Sequence, residues 1–123
     1  MQRRTRQREA IWAVIRNTGR PLGPEEILEG ARRVVDGLGI ATVYRAIKDW
    51  TGEGKLVPVE ISGQPPKVEI AGLKHHHHFC CEACGRVFEL EGCGLHFNAS
   101  LPTGFAVKRH EVTLYGRCGD CTA

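Results

Sequence analysis

Cys81-Glu-Ala-Cys84 and Cys118-Gly-Asp-Cys121 are two Cys-x-x-Cys pairs in one chain. Each can present two thiolates from a single tight turn, and four thiolates are what a tetrahedral Zn²⁺ site requires. Gly85, directly after the first pair, suits the knuckle turn. Because 33 residues separate the pairs, a metal held by both would tie the ends of a small domain together. A thioredoxin-like redox pair is the alternative chemistry, but neither motif sits in a βαβ context. A second cluster runs straight into the first: His75, His76, His77 and His78 precede Phe79 and Cys81. If this run is a strand, alternation sends His75 and His77 to one face and His76 and His78 to the other, so one segment can serve two metals. A core would have to satisfy the polar nitrogens of four adjacent rings, which makes metal ligation the better account. Partners for the rings must come from Glu69, Glu89, His96 and His110, with Glu91 and Glu111 as substitutes. A ligand at Glu69 would tie the boundary between the two halves of the chain to the metal, a way for ion binding to fix their orientation.

The elements that must carry these groups divide after Ile70. All six cysteines and all six histidines lie beyond that point, and twelve Lys or Arg face nine Asp or Glu before it, against five and five after it. We expect two small domains, a DNA-binding one over residues 1–70 and a metal-binding one over 71–123. With 123 residues, 41% hydrophobic and 25% charged, the composition is that of a globular protein. No apolar run approaches the roughly 18 residues of a membrane span. Four arginines stand in the first eight residues, but Glu9, Arg16 and Asn17 interrupt the apolar stretch that a signal peptide would need. The expected location is cytoplasmic, with no membrane partner. Six cysteines in 123 residues fall short of the roughly 8 to 10% of a secreted disulfide scaffold, so metal thiolates are expected rather than disulfides.

In the first half, Ile11, Val14, Ile15 and Thr18 recur at helical spacing over residues 5–18, and Gly19 with Pro21 ends the pattern. Pro24 followed by Glu25 and Glu26 starts a second helix, carrying Ile27, Leu28, Ala31, Val34 and Val35 and stopping near Gly37. After a turn over Gly37 to Gly39, Val43, Ala46, Ile47 and Trp50 make an inward stripe on a third helix. Its other face shows Thr42, Tyr44, Arg45 and Lys48, groups able to reach phosphates and base edges together. Two short β-rich runs, residues 56–61 and 66–70, flank a Ser-Gly-Gln-Pro loop and read as a hairpin. Three helices followed by a hairpin is the order of a winged helix-turn-helix. A basic arm from Arg3 to Arg8, including Arg4 and Arg8, is expected to precede the first helix and to neutralise phosphates or lie in a minor groove.

Over nearly its full length the chain resembles the ferric uptake regulator family of metal-responsive bacterial repressors. The motifs that carry the resemblance are Gly39-Ile40-Ala41-Thr42-Val43-Tyr44-Arg45, the histidine run into Cys81-Glu-Ala-Cys84-Gly85, and Leu114-Tyr115-Gly116-Arg117-Cys118 with Cys121. The resemblance implies an α+β fold, an N-terminal winged helix followed by a small C-terminal α/β dimerisation domain with structural zinc. It implies a homodimer that binds double-stranded palindromic operators when loaded with divalent metal. By position, Cys81, Cys84, Cys118 and Cys121 match structural zinc ligands. Glu69, His76, His78 and Glu89 match the regulatory site, His75, His77, His96 and His110 fall at a further site, and Thr42, Tyr44 and Arg45 match DNA-contacting positions.

Departures from the family pattern bear on the metal. Pro21 stands where iron-type members generally have a histidine, and their usual His-x-Asp-His is here unbroken histidine, similar to the zinc uptake regulator branch. That branch commonly supplies a cysteine near the hinge, and none lies between Glu69 and His75. His96 takes the place of a carboxylate. Nitrogen-rich sites suit Zn²⁺, Ni²⁺ or Fe²⁺ better than Mn²⁺, so Zn²⁺ is favoured at the regulatory site, with Fe²⁺ second. Cys80 and Cys93 stand outside the tetrad and read as buried small apolar residues. The expected function is metal-dependent repression of metal-homeostasis genes; the alternative is a peroxide sensor acting through iron-catalysed histidine oxidation. An enzyme is not expected, because no general base or nucleophile constellation accompanies the candidate metal ligands, and the deaminase pattern is absent.

Overall fold

Apolar residues three and four apart bury one stripe on each of three helices. In α1 (Arg3–Thr18) the stripe is Ala10, Ile11 and Ile15; in α2 (Pro24–Arg32) it is Ile27 and Ala31; in α3 (Ile40–Gly52) it is Val43 and Ala46. With Leu22, Leu38, Leu56 and Val68 these form one core, against which Trp12, Val14, Ile47 and Trp50 pack. The two indoles meet edge to face with centroids 5.0 Å apart. At Gly30 a Cβ would come within 2.9 Å of Val14 Cγ1, so α1 and α2 approach closely only because this position is glycine.

Two expectations about these helices are corrected. The arginines from Arg3 to Arg8 are not an arm ahead of the first helix but its opening turns. Arginine and glutamine are good helix formers, and Arg8 is anchored on α3 by an ion pair to Asp49 at 2.8 Å and by lying 5.9 Å over the Trp50 ring. The second helix ends at Arg32, well short of Gly37, and Val34 is 74% exposed rather than inward. A β-branched pair followed by Asp36 and Gly37, the glycine at φ +75°, favours a turn over another helical turn.

β1 (Leu56–Val59) and β2 (Lys67–Ile70) form an antiparallel hairpin with Leu56 opposite Ile70 and Val59 opposite Lys67. Leu22 and Val68 exchange backbone hydrogen bonds at 3.0 and 2.9 Å, fastening this wing to the turn between α1 and α2. Glu26 reinforces the same corner, accepting from Gly23 N–H at 3.1 Å, Arg20 Nη1 at 2.9 Å and Lys67 Nζ at 2.5 Å.

The computed structural model describes residues 3–92 and 101–122 and falls into two units, Met1–Leu73 and Lys74–Ala123. The second is built on β3 (His76–Cys81), the middle strand of a three-stranded sheet. β4 (Val87–Glu91) lies antiparallel on one side and β5 (Thr113–Gly116) parallel on the other, followed by a short helix α4 (Gly119–Thr122). The architecture is α+β. Among the described residues no helix is long and apolar enough to cross a membrane.

Candidate metal centres and nucleic-acid interface

β3 ends at Cys81, and the tight turn after it closes with Gly85 N–H donating to Cys81 O at 2.9 Å, Gly85 itself adopting φ +77°. β5 runs parallel to β3 and delivers Cys118 beside that turn, and α4 then presents Cys121. The four sulfurs lie within 4.8 Å of one another, with Cys84 and Cys118 Sγ 3.9 Å apart. Bonds of about 2.3 Å from a tetrahedral zinc give a sulfur–sulfur edge of about 3.8 Å, so the spacing fits that ion. Cys81 Sγ accepts the backbone N–H of Cys118 at 3.3 Å and of Cys84 at 3.4 Å, and these bonds lower its thiol pKa to about 6. Cys84 is lowered by the backbone and side chain of Arg86, whose Nε donates to its sulfur at 3.3 Å. Cys121 moves the other way, to about 12, because its neighbours Cys118 and Cys81 compete for negative charge. Four thiolates crowded this closely repel one another until a cation compensates them. The five described cysteines form no disulfide. Cys80, on the opposite face of β3, is buried among them but outside the tetrad; Cys93 lies outside the described residues.

The strand period separates the histidines. His76 and His78 share one face, their ring centroids 4.8 Å apart. His76 Nδ1 lies 2.6 Å from the carbonyl of Lys74, which can only accept, so the ring's proton sits on Nδ1 and Nε2 keeps its lone pair for a metal. Glu89 stands opposite His78 in the β3–β4 register, half-buried, and among the described residues its carboxylate joins no cluster of converging ligand atoms. Glu69 is a buried residue of β2 in the first unit. On the other face His75, His77 and His110 converge, with Nε2 of His75 and His110 3.1 Å apart. Imidazole bonds of about 2.0–2.1 Å give a tetrahedral edge of about 3.3 Å, so this pair also fits a small divalent ion. His77 is oriented differently. Val112 N–H donates to its Nδ1 at 3.2 Å, which leaves the proton of the neutral ring on Nε2, a buried atom without a partner among the described residues. Ligation by Nε2 therefore requires the ring to turn over or the Val112 bond to break. Burial first, and the charges of His75 and His110 next, hold the His77 pKa below its usual value. His96 lies outside the described residues. Glu91 and Glu111 are exposed and belong to neither histidine cluster.

In the first unit Arg4, Gln7, Arg8, Thr42 and Arg45 line one open cleft with Gly37. α3 places Tyr44, Arg45 and Lys48 at the surface, opposite Val43 and Ala46, and Arg45 Nη2 donates to Thr42 Oγ1 at 3.2 Å. The cleft joins the opening turn of α1 to that of α3, whose backbone N–H groups and positive dipole end suit a phosphate. Gln7 was not singled out by sequence, since a glutamine in a helix carries no periodic signal; nor was Arg86.

Across residues 2–115 the chain matches the ferric uptake regulator family. It is 30% identical over 122 residues to a ferric uptake regulation protein of Campylobacter jejuni, an alignment covering 95% of this chain and 78% of that one. The structure of the Helicobacter pylori ferric uptake regulator Fur, described as revealing three functional metal binding sites, superposes with a TM-score of 0.69 at 25% identity, covering 95% of this chain and 80% of that one. A zinc-bound manganese uptake regulator superposes with a TM-score of 0.81 at 23% identity, covering 91% and 87%, and attests the fold.

Proposed function

Because the chain belongs to the ferric uptake regulator family, whose members are metal-responsive transcriptional regulators and not enzymes, we propose that it represses transcription by binding operator DNA as a homodimer when a divalent metal is bound. In this reading Cys81, Cys84, Cys118 and Cys121 hold a permanent structural Zn²⁺. His76 and His78, with Glu69 and Glu89 both added by the family resemblance, hold the ion that is sensed. His75, His77 and His110, with His96, form a further site. Arg4, Arg8, Thr42, Tyr44, Arg45 and Lys48 meet the duplex.

The observation that carries the reading is the orientation of His76 by the Lys74 carbonyl. It leaves a lone pair on the same strand face as His78, a few residues from a tetrad whose spacing already suits zinc. A nitrogen-rich site at His76 and His78 favours Zn²⁺ as the sensed ion, with Fe²⁺ second, and the regulated genes would be those of metal homeostasis. The chain's own residues supply the switch as a coupling free energy, typically about 1 to 3 kcal/mol, or 5- to 150-fold in affinity. Fluorescence anisotropy on a duplex selected from a random pool by the zinc-loaded protein tests this. A chelator mild enough to leave the tetrad filled should weaken binding within that range. Equal affinity with and without it would remove the sensing function.

A further inference from the structure

Arg86 follows Cys84 by two residues, and its guanidinium is held on three sides. Nε donates to Cys84 Sγ at 3.3 Å, Nη2 meets Asp120 Oδ2 at 3.5 Å, and the group lies 6.0 Å over the Phe88 ring. Asp120 sits between Cys118 and Cys121, so one side chain reaches from the first cysteine pair to the second. The four sulfurs are not equally protected. Cys81 and Cys118 are buried and Cys121 is half-buried, but Cys84 is exposed. The ligand that a competing chelator or an electrophile meets first is thus the one that carries the arginine.

Zinc and four thiolates together leave two negative charges, and an N–H···S bond from a cation draws electron density from the sulfur it touches. Only an arginine can do this while turning its other nitrogens to a carboxylate, since its donors form a rigid fork. Asp120 and Phe88 orient the fork so that Nε faces Cys84. On the reading that the tetrad holds zinc, we infer that Arg86 is a positioning residue that, by donating to Cys84, sets how readily the metal leaves and this thiolate reacts.

The test uses the full-length zinc-loaded protein and Arg86→Ala, Arg86→Lys and Asp120→Asn. Zinc transfer to 4-(2-pyridylazo)resorcinol should accelerate roughly tenfold or more in Arg86→Ala, the low end of what outer partners of metal ligands contribute. It should accelerate less in Arg86→Lys, which keeps the charge and loses the Nε–H, and in Asp120→Asn. Brief treatment with N-ethylmaleimide followed by peptide mass mapping should show Cys84 alone labelled faster. In cobalt-substituted protein the thiolate-to-metal charge-transfer band should move to lower energy when the hydrogen bond is removed. Unchanged transfer rates and band position, or equal acceleration at all four cysteines, would overturn the inference. If Arg86→Ala does not fold, Arg86→Lys carries the same comparison. Wild-type protein that retains neither zinc nor cobalt would instead overturn the tetrad reading itself.

Discussion

Arg45→Ala separates recognition from folding, because of where α3 places this residue. Val43 and Ala46 on the inner side of the helix are fully buried, whereas Arg45 is exposed, and the hydrogen bond it makes is to the Thr42 hydroxyl at 3.2 Å. Truncation opens no cavity and leaves no buried group unpaired, since water can replace the donor at Thr42. The stability change should stay within about 0.5 kcal/mol. An arginine reading a base edge or gripping a phosphate contributes about 1 to 3 kcal/mol. In the proposed homodimer on a two-fold operator the contact would be made twice, so the loss doubles to about 2 to 6 kcal/mol, roughly 30-fold at the least. Anisotropy titrations on the selected duplex and on a scrambled one, in zinc-replete buffer at several salt concentrations, measure it. Parallel losses on both duplexes with a shallower salt slope mean a phosphate contact; a loss confined to the selected duplex means base readout. A loss below twofold, or one that comes with a lowered melting temperature or altered metal content, would refute the assignment of α3 as the recognition helix.

Three further substitutions test the frame that holds these sites. Gly30→Ala ought to gain helix propensity of up to about 1 kcal/mol, but its methyl would press on Val14 at 2.9 Å, so thermal denaturation should show a net loss of about 1 to 2 kcal/mol; a stabilised variant would mean that α1 and α2 do not pack as described. Glu26→Gln should cost about 1 to 2 kcal/mol at neutral pH. Burial raises the Glu26 pKa, but Lys67, Gly23 N–H and Arg20 outweigh it and hold the carboxyl below its ordinary value, so its contribution is present above the unfolded value of about 4.3 and fades as pH falls through the folded one. Wild type and variant should converge in acid urea titrations, and a gap that persists there would contradict the clasp. Cys118→Ser removes a buried ligand and should abolish stoichiometric zinc and unfold the second unit, because the metal's binding energy is folding energy; circular dichroism of a well-folded, zinc-loaded variant would argue otherwise.

Periodicity and turn chemistry made much of this readable in advance. Val43, Ala46, Ile47 and Trp50 could face only one way on a helix, and alternation alone sorted the four histidines into pairs. What stayed hidden depends on contacts distant in sequence. Arg8 is drawn into α1 by Asp49 and Trp50, forty residues on, so local charge suggested an arm where there is a helix. Val34 satisfies helical spacing and is nevertheless exposed, because spacing does not register a β-branched pair ahead of a left-handed glycine. The proton position on His77 is decided by the backbone N–H of Val112, which the parallel strand β5 brings alongside, and Arg86 becomes distinctive only once Cys84 and Asp120 lie beside it.

Metal sensing requires that each ligand change the affinity for the other by the same factor. Competition titration of zinc at the sensing site, the tetrad already filled, should therefore give a tighter affinity in the presence of saturating selected duplex than in its absence, by the factor through which zinc tightens DNA binding. His78→Ala should lose that difference while retaining the structural ion. A zinc affinity in wild-type protein that is unchanged by the duplex would show that the imidazole site and the DNA surface are not coupled, and that this chain does not sense metal by the route described.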